Sequence, residues 1–100
     1  MKLTIQALHF TAADRLKSYI SKKVNKLDQF YDRIIEGEVT LSVQDEKKGA
    51  NKYAEVHVHV PGNVLIAGVN GQSFEAAVDM ATDKLKTQIK RYKGKLRAQA

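Results

Sequence analysis

The feature that most constrains the fold of this chain is the regular spacing of apolar residues in its last quarter, from Ser73 to Arg97. The apolar positions recur every three or four residues: Phe74, Val78, Ala81, Leu85, Ile89, Tyr92 and Leu96. At about 100° per residue they form one stripe, which predicts a long α-helix with one face in a core. Ser73 is suited to the N-cap, because its hydroxyl can accept a hydrogen bond from a free amide of the first turn.

The same segment is rich in basic residues. From position 84 onward it holds seven bases and no acid within 14 positions: Lys84, Lys86, Lys90, Arg91, Lys93, Lys95 and Arg97. Helical spacing puts Lys84, Arg91 and Lys95 on one side and the other four on the opposite side. Like charges at i,i+4 repel, so this pattern lowers helix stability unless an anionic partner offsets the repulsion. The pattern therefore indicates a polyanionic partner.

Length and composition limit the class of protein. One hundred residues with 43% hydrophobic content are enough for one domain, 1–100, with a single core. The chain has no cysteine, which excludes disulfides and thiolate chemistry. No apolar run approaches the roughly 20 residues of a membrane span, and the N-terminus lacks the apolar region of a signal peptide. We therefore expect a cytoplasmic protein without a membrane partner.

Shorter periodic patterns fill the rest of the chain. Alternating apolar residues predict four strands, and a spacing of three and four predicts a first helix of about 18 residues. The strands are centred on Leu3–Ala7, Val39–Val43, Ala54–Val60 and Val64–Val69, and the helix on Ala13–Tyr31. Asp45–Lys52 predicts a hairpin loop and Pro61–Asn63 a tight turn.

The resulting order, β-α-β-β-β-α, predicts an α+β fold. A right-handed crossover makes the first two strands parallel, and hairpins extend the sheet to four mixed strands. Both helices then cover one sheet face, and the polar opposite face is open to solvent. The first helix is basic on its outer side as well, through Arg15, Lys22 and Lys26, with Lys23 at the edge of its apolar stripe. Side by side, the two helices are expected to present a continuous positive surface.

Sites of catalysis or metal binding are not expected. His57 and His59 share one face of a strand near Glu55, but no third ligand from another element is evident. Solvated polar positions explain these residues better than a metal site. The sequence shows neither a nucleophile paired with a base nor a glycine-rich phosphate loop. We therefore expect no enzyme, no cofactor and no small-molecule substrate.

Two known RNA-binding motifs match the chain only in part. Gly68–Gly71 matches the GxxG pattern of KH domains, but it follows a strand and carries no base, so a turn is predicted. An RRM stacks bases on aromatic residues of its open sheet, where only Tyr53 is available here. Tyr19 lies beside basic residues of the first helix. It either stacks on a nucleobase or is a half-buried rim residue.

Several runs of residues carry a family resemblance. They are Phe74–Asp79, Asp83–Leu85, Gln88–Lys90 and Tyr92–Leu96 in the last helix, with Leu16-Lys17, Tyr19-Ile20, Lys23-Val24, Lys26-Leu27 and the hairpin Pro61–Leu65. Over essentially its whole length the chain resembles bacterial ribosome hibernation promoting factors, a family that includes protein Y and is also labelled sigma factor modulation protein. The resemblance implies the same β-α-β-β-β-α fold, related to double-stranded RNA-binding domains.

The resemblance also implies a function. Such proteins bind the small ribosomal subunit in the channel for messenger RNA and transfer RNA, and they inactivate idle ribosomes in stationary phase or stress. Matching positions are expected to contact 16S rRNA phosphates: Lys23, Lys26, Lys84, Lys90, Arg91, Lys93 and Lys95. Secondary contacts are expected from Arg15, Lys22, Lys86 and Arg97.

The chain departs from the family pattern at three points. Gly71–Phe74 replaces the usual acidic entry and tyrosine, Thr87 stands where relatives often have arginine, and neither an acidic tail nor a second domain is expected. Two other functions stay open: a protein-interaction module that modulates a sigma factor, and a generic binder of double-stranded RNA. The run of bases without acids favours rRNA over a protein partner.

Overall fold

The computed structural model describes residues 1–44 and 51–99, with side chains for 1–44 and 51–96. The predicted order of elements is confirmed: β1 (Lys2–Ala7), α1 (Asp14–Asn25), a 3-10 turn (Lys26–Gln29), β2 (Glu36–Val43), β3 (Lys52–Val60), β4 (Asn63–Gly71) and α2 (Phe74–Gln99). Of the predicted hairpin loop, Asp45–Ala50 lies outside the described residues, and Lys52 already belongs to β3.

The sheet has the strand order β1-β2-β3-β4. β1 runs parallel to β2, with Ile5 opposite Val39, because α1 forms the crossover between them. β2 and β3 are antiparallel with Val39 opposite Val56, and β3 and β4 are antiparallel with Val56 opposite Ala67. The predicted mixed sheet is therefore confirmed, and the register places the valines on one face.

The predicted tight turn between β3 and β4 is confirmed as a two-residue connection, Pro61–Gly62. Val60 pairs with Asn63 across it. Gly62 has φ of 81°, in the left-handed region that glycine enters without steric cost. A glycine with positive φ directly after a proline is the combination that type II turns favour.

The predicted turn at Gly68–Gly71 is wrong, because these residues belong to β4. Gly68 pairs with Glu55 of β3, and the Tyr53 side chain lies over it. A Cβ atom at Gly68 would overlap the Tyr53 ring and hydroxyl. Gly68 therefore makes room for a tyrosine on the open sheet face, and the GxxG pattern carries no RNA-binding loop.

The core lies between the sheet and the two helices. It contains residues from every layer: Ile20 and Val24 of α1, Leu27 of the 3-10 turn, Val39, Leu41, Val56 and Val58 of the sheet, and Val78, Ala81, Leu85 and Ile89 of α2. The predicted N-cap is confirmed, since the Ser73 hydroxyl accepts from the Ala76 amide at 3.1 Å. The apolar stripe of α2 is thus set against the sheet from its first turn.

The first helix is shorter than predicted. α1 spans 12 residues and ends at Asn25, and the chain continues as the 3-10 turn Lys26–Gln29. Leu27 stays in the core at 1% exposure. Tyr31 lies beyond the turn and packs edge-on against Tyr92, with ring centroids 6.1 Å apart.

The long helix α2 extends beyond the sheet. Its 26 residues span about 39 Å, whereas the nine-residue strand β4 spans about 30 Å. The Tyr92 hydroxyl donates to the Pro61 carbonyl at the end of the sheet. Leu96 lies past this point and is 39% exposed. It belongs to the predicted apolar stripe but does not lie in the core. Among the described residues, no helix is long and apolar enough to cross a membrane.

Val43, at the end of the second predicted strand, is 39% exposed and lies outside the core. It faces the same side as Val39 and Leu41 but occupies the last paired position of β2, opposite Lys52. At this end of the sheet it lies outside the layer that the helices cover.

Candidate nucleic-acid interface

The interface is built around a groove between the two helices, which we call the interhelical groove. One wall is α1 with the 3-10 turn, and the other is the side of α2 that carries Asp79, Asp83 and Lys86. Tyr19 crosses the groove: its hydroxyl donates to the Asp79 carboxylate, with oxygen separations of 2.8 and 2.9 Å. This hydrogen bond, assisted by burial, raises the pKa of Tyr19 above its usual value. Tyr19 is therefore a rim residue that joins the helices.

Lys23 lies beside the same carboxylate. Its Nζ is 3.6 Å from Asp79 Oδ1, and both side chains are more than a third exposed. A pair in this setting contributes at most about 1 kcal/mol to stability. Lys23, one of the predicted phosphate contacts, therefore already has a weak anionic partner within the protein.

Acids occupy one half of the groove. Glu75 borders a depression with Arg15 and Tyr19, and Asp83 lines a smaller cavity with Lys23 and Lys26. Together with Asp79, these residues define the acidic half of the groove, which surrounds the first turns of α2. The predicted continuous positive surface is therefore interrupted, because three carboxylates follow the N-terminal half of α2 along the side that faces α1.

The other half of the groove is basic and converges on Phe30, the residue after the 3-10 turn. Lys86 Nζ lies 4.7 Å and Lys90 Nζ 5.7 Å from the centre of the Phe30 ring. Lys93 Nζ donates to the Phe30 carbonyl at 2.7 Å. Three of the predicted basic residues are thus gathered around one aromatic residue, with Lys26 exposed nearby on the 3-10 turn.

Phe30 is the functional candidate that the sequence interpretation missed. Its neighbour Tyr31 fitted the apolar spacing of the first helix, and Phe30 did not. The available signal was an aromatic residue shortly after three closely spaced bases, Lys22, Lys23 and Lys26. Lys86 and Lys90 reach the ring only because α2 packs against this turn.

The second predicted group of bases lies on the opposite side of α2. Lys84, Arg91 and Lys95 are all exposed, and none forms an ion pair with another described residue. Gln88, on the same side, donates to the Ile66 carbonyl of the edge strand β4 at 2.9 Å. Gln88 therefore anchors this side of the helix to the sheet, while the three basic side chains are exposed to a binding partner.

The remaining predicted contacts are divided between the two walls. Lys22 is exposed on α1, and Arg15 borders the depression next to Glu75. Arg97 belongs to α2, and its side chain lies outside the described residues. Thr87, where relatives often have arginine, is exposed and donates to the Asp83 carbonyl one turn earlier at 3.3 Å.

The histidines lie on the open sheet face, as predicted. His57 Nε2 is 2.8 Å from Glu55 Oε1, and His59 Nε2 is 2.6 Å from Glu38 Oε1. Glu36 is paired with His59 in the β2–β3 register, and ligand atoms of Glu36, Glu38 and His59 lie within 4.8 Å of one another. The expectation that no other element offers a further ligand is therefore wrong, because β2 supplies two carboxylates.

We predict that replacing both histidines, His57→Ala with His59→Ala, leaves the fold and partner binding nearly unchanged. The side chains are half-exposed on the face away from the helices, and their pairs with glutamates are solvated. Thermal melting, binding assays and metal analysis of the purified protein check this. Stoichiometric metal in the parent that disappears in the double variant would show that these residues form a metal centre.

The chain is similar in sequence to known proteins. The family model described as Sigma 54 modulation protein / S30EA ribosomal protein matches residues 3–97. A ribosome hibernation promoting factor of Klebsiella oxytoca is 31% identical over 97 residues, which cover 97% of this chain and 98% of that protein.

Solved structures show the same fold. The N-terminal domain of Thermus thermophilus Protein Y superposes with a TM-score of 0.80 at 30% identity, over 92% of this chain and 99% of that one. A ribosomal subunit interface protein of Coxiella burnetii has a TM-score of 0.82 at 20% identity, over 94% of this chain and 99% of that one. The second likeness, at this identity, concerns the fold alone.

Proposed function

Because the chain belongs to the Sigma 54 modulation protein / S30EA ribosomal protein family, we propose that it binds the small ribosomal subunit and inactivates idle ribosomes. It acts as a single ribosome-binding domain and as a translation inhibitor without catalysis. Its setting is the cytoplasm in stationary phase or stress. The relative from Klebsiella, named for ribosome hibernation and matched over nearly its whole length, supports this role.

The observation that carries the proposal is the distribution of charge along α2. The second half of the helix, whose end extends beyond the sheet, carries bases on two sides without an acid between them. Phosphate groups are the natural partners of such a surface, because each lysine or arginine that neutralises one releases a condensed counterion. A folded protein partner has no need of so many bases without acids.

The proposed contacts are with 16S rRNA phosphates. They differ in whether the basic side chain must first break a contact within the protein. Lys84, Arg91 and Lys95 are exposed and free of described ion pairs, so they bind without giving up an internal partner. Lys26 and Lys90 are exposed on the groove. Binding by Lys23 and Lys93 competes with their internal partners, the Asp79 carboxylate and the Phe30 carbonyl.

The proposed mechanism is steric. The bases hold the domain in the channel of the small subunit where messenger RNA and transfer RNA bind during translation. The folded helices and sheet occupy that volume, so neither RNA can enter while the protein is bound. Inhibition needs no covalent chemistry and is reversed when the protein dissociates.

Competition tests the proposal. Small subunits that already hold messenger RNA and initiator transfer RNA are expected to bind this protein much more weakly than empty subunits, because the sites overlap. Binding is measured by co-sedimentation at fixed salt, with the RNA-free subunits as the control. Simultaneous, undiminished binding of the protein and both RNAs would contradict occupancy of the channel.

The family description also names sigma 54 modulation, so a protein partner is the second candidate function. The acidic half of the groove, with Glu75, Asp79 and Asp83, is the feature that would suit a basic protein segment. Sedimentation of a stationary-phase lysate separates the two functions. Co-migration with ribosomes supports the first, and co-migration with RNA polymerase supports the second.

A further inference from the structure

Phe30 has the surroundings of a nucleic-acid contact. It is half-buried at the end of the 3-10 turn, with Lys86 and Lys90 over its ring at 4.7 and 5.7 Å and Lys93 on its carbonyl. An aromatic ring among lysines is the combination that single-stranded nucleic-acid sites use. The ring stacks on a nucleobase while the lysine cations hold the phosphate backbone.

Space for a ligand lies beside the ring. A cavity of about 180 Å³ is bordered by Phe30, Lys23, Lys26, Lys86, Asp83 and Thr82. The Thr82 hydroxyl is buried and has no hydrogen-bond partner among the described residues. A buried hydroxyl without a partner is uncommon in folded proteins, and here it belongs to a residue that lines the cavity.

We propose that Phe30 stacks on an unpaired nucleobase of the bound RNA. In the free protein the Lys86 and Lys90 ammonium groups lie over the ring. When RNA binds, the phosphates draw these ammonium groups away and a base takes their place on the ring. This inference rests on the proposed function and deepens it, because it specifies which form of RNA the groove accepts.

The proposal implies selectivity for looped or bulged RNA. Bases inside an A-form duplex are stacked on each other, and proteins recognise such a duplex by its minor groove and backbone. Stacking on Phe30 requires a base that is already unpaired or turned out of its helix. A generic binder of double-stranded RNA would gain nothing from Phe30.

The test compares three variants on purified small subunits across a salt series. Phe30→Leu keeps an apolar side chain and is expected to weaken binding roughly tenfold, while Phe30→Tyr keeps the ring and binds like the parent. The salt slope of Phe30→Leu is expected to match the parent, since no phosphate contact is lost. Lys90→Ala, the matched control, is expected to flatten the log–log slope by about 0.7–0.9.

A spectroscopic readout keeps the test valid if Phe30→Leu is unstable. The chain has no tryptophan, so Phe30→Trp introduces a single indole at the ring position. Its fluorescence is expected to be quenched when small subunits bind, because a base stacks on it. Tyr53→Trp, on the open sheet face, is the control and is expected to be unaffected.

Each outcome supports or overturns the proposal. Parent-like binding of Phe30→Leu, or unchanged fluorescence of Phe30→Trp in the complex, overturns base stacking and leaves ribosome binding intact. A flattened salt slope in Phe30→Leu also overturns it, because Phe30 would then act by positioning lysines. If the parent itself does not bind small subunits, the proposed function fails first, and the stacking proposal fails with it.

Discussion

Leu85→Ala is expected to lower the free energy of unfolding by about 2–5 kcal/mol, and Ile89→Ala by a similar amount. Both side chains are fully buried in α2 against the sheet. Truncation removes their apolar contacts and leaves a cavity that the surrounding valines fill only in part. For a domain of this size, such a loss lowers the melting temperature by about 8 °C or more.

The control for these variants is the adjacent residue Lys84, which is exposed. Lys84→Ala replaces one good helix former with another and removes no buried contact, so its melting temperature is expected to stay near that of the parent. Thermal and urea unfolding of the variants measures the difference. A Leu85→Ala protein that melts with the parent would show that the apolar stripe of α2 does not hold the core together.

The triple variant Lys84→Ala/Arg91→Ala/Lys95→Ala is expected to change binding without changing stability. The three side chains are exposed and repel one another, so their removal costs no folding free energy beyond a few tenths of a kcal/mol per site. Three lost phosphate contacts reduce the log–log salt slope by about 2–3. At 50–200 mM salt, the parent with seven contacts loses affinity about a thousandfold, and the variant with four only about a hundredfold.

Lys2→Ala is the control for this effect. Lys2 is exposed on β1 with its side chain on the open sheet face, away from both helices. Its removal changes the net charge but no proposed contact, so the salt slope is expected to stay that of the parent. An unchanged slope in the triple variant would assign Lys84, Arg91 and Lys95 to ordinary solvated surface.

The fold was predictable because each element has its own apolar period. The spacing of two marks the strands and the spacing of three and four marks the helices, and the right-handed crossover leaves few topologies. The end of α1 was not predictable in this way. A 3-10 turn keeps residues three apart on one side, so Leu27 fits the apolar pattern of either helix type.

The interpretation of Gly68–Gly71 as a turn failed for a different reason. Glycine indicates a turn when the chain needs a left-handed residue, but it also serves where another group fills the space of a side chain. Tyr53 fills that space over Gly68, and the pairing of β3 with β4 that brings them together is a property of the folded sheet.

The charges of the candidate site were predictable from the sequence, whereas the internal contacts of each charged residue were not. The bases of α2 are clustered within 14 positions of the sequence, so their density is visible without a structure. The contacts that divide the groove join distant residues: Tyr19 and Asp79 are 60 positions apart, and Phe30 and Lys93 are 63 apart. Which lysine meets an acid and which meets an aromatic ring depends on how the helices pack.

Binding of the parent protein to isolated ribosomal subunits tests the central claim most directly. Small and large subunits are sedimented separately with this protein at 50, 100 and 200 mM salt. The account predicts stoichiometric binding to small subunits that weakens by about a thousandfold across this range, as expected for about seven phosphate contacts, and much weaker binding to large subunits. Equal binding to both subunits, or small-subunit binding that does not change with salt, would contradict it.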